Sequence, residues 1–137
     1  MAAASAAVRG AAVAAVEAHI LLWNNGDRVG WLRLFADDVT FDDPVGAPTK
    51  QGRVAAEQSW DRSQRDGRRW TLTAERIIPA GEECAVIMRN DGLVEGVDAV
   101  VNGVEIWRVG ADGLVVAVRA YFEQPTAVAL DPYFRPS

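Results

Sequence analysis

The run from Trp70 to Phe122 leaves little choice of architecture. Four β-favouring stretches, Trp70 to Ile78, Cys84 to Arg89, Ala99 to Val109 and Leu114 to Phe122, are separated by PAGEE, NDG and GADG. That is turn chemistry suited to antiparallel connections. The residues before them read differently. From about Ala6 to Asn24, Val13, Val16, Ile20 and Trp23 recur at three- and four-residue steps, the pattern of an amphipathic helix. Gly26 ends it, and Asp27 can cap a second helix through about Phe35, with Val29, Leu32 and Phe35 inward. Val39, Phe41 and Asp43 then alternate with Thr40 and Asp42 as a short strand, closed by a turn at Gly46 and Pro48. A third helix is expected from about Arg53 to Gln64, ending at Gly67. Helices first and sheet afterwards is an α+β order. It predicts three N-terminal helices packed on one face of a curved, mostly antiparallel sheet, with a cone-shaped pocket between the layers.

At 137 residues the chain reads as one domain, 1–137, long enough to bury a core. No window approaches the run of about 18 apolar residues that a membrane span needs, so no membrane partner is expected. Arg9 and Glu17 interrupt the alanine-rich start, which argues against a secretory leader. The net charge is −5, and the nearest approach to a basic stripe, RSQRDGRR (Arg62 to Arg69), is short and contains Asp66. It reads as an exposed helix end or turn rather than a nucleic-acid contact. Among fourteen basic residues only Lys50 is lysine, a bias read as genomic rather than chemical. Cys84 and His19 are each alone in the chain. That excludes a disulfide framework, a thiolate zinc site and clustered-imidazole metal sites, and it fits a reducing cytoplasm.

The stretch VTFDDPVGAPTKQG (Val39 to Gly52) carries the chemistry. An Asp-Pro pair ordinarily starts a turn, but strand parity puts Asp43 on the side of Val39 and Phe41. A carboxylate facing an apolar pocket is partly desolvated and yet ionisable, which suits a general base. Glu105 lies inside VNGVEIWRV and shares a strand face with Trp107. Facing inward it would stay protonated and donate to a developing oxyanion. Facing outward it would pair with Arg108 or Arg119. His19 sits on or beside the buried face of the first helix, either as a core residue or as a site residue. Trp23, Phe35, Phe41, Trp60, Met88, Trp107, Val118 and Phe122 are the expected lining, a set of large apolar surfaces suited to a polycyclic or polyene ligand. On the other sheet face, Val104, Ile106 and Tyr121 are candidates for a dimer contact.

WNNGD (Trp23 to Asp27), LFADDVTFDDPVG (Leu34 to Gly46), Gly52 before the third helix and VRAYF (Val118 to Phe122) carry a resemblance. In this order they resemble the ketosteroid isomerase-like branch of the NTF2/SnoaL-like superfamily, from about Val13 to Phe122. The resemblance implies an NTF2-like cone with Asp43 as general base. It places the family's donor tyrosine at His19, its supporting tyrosine at Trp60 and its protonated oxyanion-hole aspartate at Glu105. The base is therefore kept while the donors change type. The implied activity is cofactor-independent and metal-free: proton abstraction and double-bond isomerisation on a hydrophobic, carbonyl-bearing small molecule, steroid- or polyketide-like. The alternative is a polyketide-tailoring cyclase, forming a pyran or carbocycle or opening an epoxide, in the same pocket. Epoxide opening wants a second facing carboxylate, and the strand Trp70 to Ile78 offers no convincing one. A non-catalytic ligand-binding protein is the third reading. The resemblance also implies a homodimer.

Overall fold

The computed structural model describes the backbone of residues 2–136 and the side chains from residue 10 onward. Helix α1 (Ala2–Asn24) buries Ala12, Val16, His19 and Trp23 at the expected steps while Glu17 and Leu21 face out. Gly26, at φ +72°, reverses the chain, and the Asp27 side chain accepts a hydrogen bond from Gly30 N at 2.9 Å. This caps α2 (Arg28–Leu32), which is shorter than expected. Phe35 lies not in α2 but at the start of β1 (Phe35–Asp42). Val29 is 61 % exposed, and Trp31 takes the inward position at 2 %. A helix of barely more than one turn has room for one buried side chain, and an indole removes far more apolar area from water than a valine.

After β2 (Lys50–Gln51), helix α3 (Gly52–Ser63) presents the small residues Ala55, Ala56, Ser59 and Ser63, with Trp60, to the interior. The remaining strands are β3 (Arg68–Ala80), β4 (Glu83–Val94), β5 (Val97–Val109) and β6 (Val115–Phe122). Together they form one mixed sheet in the order β2-β1-β6-β5-β4-β3, antiparallel at every pair but β1 and β6. Register shifts between Ala74 and Arg76, and between Arg108 and Val109, mark bulges that bend the strands. α1 and α3 pack against this sheet. Among the described residues no helix is long and apolar enough to cross a membrane.

The expected turn at NDG is not one. Strand β4 runs through Asn90, Asp91 and Gly92, and the hairpin turns at Glu95 and Gly96, with φ of +49° and +79°. Positive φ at both central residues is the hairpin geometry whose twist matches the flanking strands. Gly92 serves a different purpose. A Cβ there would stand 2.5 Å from the Trp70 ring, which packs flat over its cross-strand partner. The glycine is a landing site for an indole.

Candidate active site

Between the helices and the sheet lies a cavity of about 100 Å³. Trp23, Phe41, Met88, Trp107, Val118 and Phe122 stand on its wall, as do Asp43, Glu105 and His19. Phe35 and Trp60 do not line it. Phe35 is fully buried behind the wall, packed on Trp31 and Phe41 with ring centroids 4.7 and 5.3 Å apart. Trp60 packs edge-on against Trp23 at 4.8 Å and otherwise borders an outer groove beside Arg65 and Arg68. α3 reaches the cavity through Ser59 and Ser63 instead.

The paired aspartates end β1 with opposite fates. Asp42 turns outward, where Arg119 Nε donates to it at 3.3 Å and the Thr49 hydroxyl also donates. Asp43, one residue beyond the strand, turns into the cavity. The loop is pinned by Val45 N donating to Ala120 O at 2.8 Å. Among the described residues no protein donor bonds the Asp43 carboxylate. Burial pushes its pKa up to about 6, and the nearby Lys50 ammonium holds it from rising further.

Glu105 faces inward on β5, between Val86 on β4 and Ala120 on β6, both buried. It forms no pair with Arg108 or Arg119; Trp107 Nε1 donates to its Oε1 at 2.9 Å. Burial first, and then the neighbouring Asp43 charge, raise its pKa to about 7, against the stabilising Trp107 bond. Two carboxyls therefore share one apolar cavity with affinities for protons close to neutrality. In such a pair the ionisation of one discourages that of the other.

His19 is buried, and Trp31 Nε1 approaches its Nδ1 at 2.9 Å. An indole N–H only donates. Nδ1 must therefore carry the lone pair, leaving the proton on Nε2. Burial lowers the His19 pKa to about 3, so the ring is neutral across the physiological range and presents an N–H donor rather than a charge. Trp107 stacks on the same ring at a centroid distance of 4.3 Å. Trp31→Phe is expected to release the tautomer: ¹⁵N spectra of His19 then show both neutral forms. A single Nε2–H form in that variant would remove Trp31 from the site.

Trp31 was legible only as the largest apolar residue of its helix, a signal that outweighs helical spacing in so short an element. Leu130 and Phe134, which complete the wall, lie beyond the sheet-forming sequence. Their one local signal is Asp131-Pro132, a cap followed by a first-turn proline, which opens a 3₁₀ turn at Pro132–Phe134.

Comparison with known proteins bears on this arrangement. The family described as SnoaL-like domain matches residues 16–128. Δ5-3-ketosteroid isomerase from Mycobacterium sp. is 31 % identical, with a TM-score of 0.70 over 82 % of this chain and 93 % of that one. RV0760c from Mycobacterium tuberculosis, solved in complex with estradiol-17β-hemisuccinate, is 29 % identical, with a TM-score of 0.72 over 82 % and 94 %. SalBIII, an epoxide hydrolase/cyclase-like enzyme with a role in pyran ring formation in the polyether salinomycin, shares the fold at 18 % identity. Its TM-score is 0.73 over 85 % and 93 % of the two chains.

Proposed function

The chain belongs to the SnoaL-like family of the NTF2-like superfamily, and from that membership we propose that it is a cofactor-independent acid/base enzyme acting on a hydrophobic, carbonyl-bearing small molecule. Asp43 takes a proton from the carbon next to the carbonyl. The electron pair moves onto the carbonyl oxygen, where protonated Glu105 and the His19 Nε2–H donate hydrogen bonds to the enolate. The protonated Asp43 then returns the proton to a different carbon of the conjugated system, which shifts the double bond and regenerates the carboxylate. The observation that carries the reading is that Asp43, Glu105 and His19 line one apolar cavity, with two acids near neutral pKa and one neutral donor. The similarity to a ketosteroid isomerase over most of both chains supports the substrate class.

A second reading, a polyketide-tailoring cyclase, is favoured by one observation: the two positions where the resemblance expects tyrosine hold His19 and Trp60. A second carboxylate facing Asp43 from β3, which epoxide opening would want, is lacking among the described residues, since Glu75 faces solvent. Incubation with a simple Δ5-3-ketosteroid separates the two. Conversion to the conjugated ketone supports the isomerase, and binding without conversion rejects it in favour of the cyclase or the non-catalytic ligand-binding protein. The homodimer is part of the same proposal. Ile87, Val104 and Tyr121 lie abreast on three adjacent strands of the outer face, all exposed, and would meet a second copy. Sedimentation of a monomer at micromolar concentration would remove it.

A further inference from the structure

The sole lysine was left without a function by the sequence, yet it stands at a junction. Lys50 Nζ donates to the backbone carbonyl of Asp43 at 2.9 Å and to that of Tyr133 at 2.6 Å. It also lies 4.1 Å from the centroid of the Tyr133 ring. The segment it holds is tied down at other points. Tyr133 Oη donates to Ala55 O on α3 at 2.9 Å, and Asp131 receives Arg62 Nη1 at 3.0 Å and Arg65 Nη1 at 3.4 Å. Gln124 Nε2 donates to Phe134 O at 3.1 Å. Through these ties Leu130 and Phe134 become cavity wall. Residues 130–134 thus close a space whose other walls come from the helices and the sheet.

We propose that Lys50 is a positioning residue that fastens the C-terminal segment to the Asp43 loop and so closes the cavity beside the base. An ammonium has three donors on a flexible stem, and two of them here join carbonyls 90 residues apart in sequence. The same charge acts on the Asp43 side chain. Among the described residues the titratable groups around Asp43 are Lys50 on β2, Glu105 on β5, the Tyr133 phenol and, on the same cavity wall, neutral His19 on α1, with the adjacent Asp42 engaged by Arg119. Lys50 is, among the described residues, the one cation set against Asp43's burial. Without it the carboxyl keeps its proton to higher pH, and the acid limb of kcat/KM moves upward. That kinetic consequence rests on the reading of Asp43 as base; the closure of the segment does not.

The test uses the full ¹³C-labelled chain as wild type, Lys50→Met and Lys50→Arg. In Lys50→Met the Asp43 carboxyl is expected to titrate about half a unit or more higher. Release of C-terminal residues by carboxypeptidase should rise at least about tenfold, because opening of the segment no longer breaks the clamp. Lys50→Arg restores both. Acetylation of the folded wild-type chain, which holds no other lysine, gives the same reading without a folding step. An unmoved Asp43 titration or an unchanged release rate in folded, lysine-blocked protein overturns the inference. A chain whose carboxyl and tail respond as expected, but which turns over no carbonyl substrate, keeps this inference and loses the proposed activity.

Discussion

Replacing Asp43 with asparagine is expected to lower kcat/KM for a carbonyl substrate by about 10²–10⁴-fold, the range that a positioned general base supplies. The fold should persist. The carboxylate has no protein donor among the described residues, so its replacement strands no existing donor, and the new amide N–H groups point where the carboxylate did, at the cavity wall. The backbone of the loop is held by Val45 N on Ala120 O and by Lys50 on Asp43 O, and neither bond involves the side chain. Asparagine has nearly the same shape but cannot accept a proton at neutral pH. Steady-state kinetics alongside thermal unfolding decide the matter. A folded variant with full turnover rejects proton abstraction by Asp43, whatever the substrate.

Glu105→Gln is expected to stabilise the protein in a strongly pH-dependent way. The Glu105 carboxyl is raised from 4.5 to about 7 by burial and by the Asp43 charge. Below pH 4.5 it is protonated in both the folded and the unfolded chain, and nothing is lost. Between 4.5 and about 7 the unfolded chain ionises while the folded one resists, so stability falls as pH rises. Above about 7 both are ionised and the loss is complete, at about 3 kcal/mol for an interval of that width. Glutamine removes the ionisation and can still accept the Trp107 N–H. Denaturant unfolding should therefore show the variant equal to wild type in acid and more stable by about 3 kcal/mol in mild alkali. A constant difference across that range would mean that Glu105 ionises as freely in the native state as in the unfolded one.

Of the two acids, only Asp43 had its inward orientation readable from alternation; Glu105 was open to either face, and the fold turned it inward beside Trp107. In β1, Val39 and Phe41 set the parity that carries Asp43 into the cavity while Asp42 meets Arg119. A period of two is a local property of extended chain, and where it is unbroken it needs no tertiary information. The buried stripe of α1, including His19, follows in the same way from its period of 3.6.

Other features required contacts between residues far apart in the chain. Gly92 looked like turn chemistry, but Trp70 on the neighbouring strand covers it, so the strand continues. Trp60 sat where a site residue was expected, but it was drawn into the packing of Trp23 and Trp31 and left the cavity to two serines. His19 alone cannot specify its own tautomer; the indole of Trp31 on another helix does.

Periodicity along the chain was enough to indicate an α+β order of helices on a sheet and to turn one aspartate toward its inside, because facing directions repeat with the local backbone. The protonation states of Asp43 and Glu105, the identity of the donor on His19 and the closing of the wall by residues 130–134 arose only on folding. Each depends on desolvation or on a partner in another element of the fold, and neither has any expression in the order of neighbouring side chains.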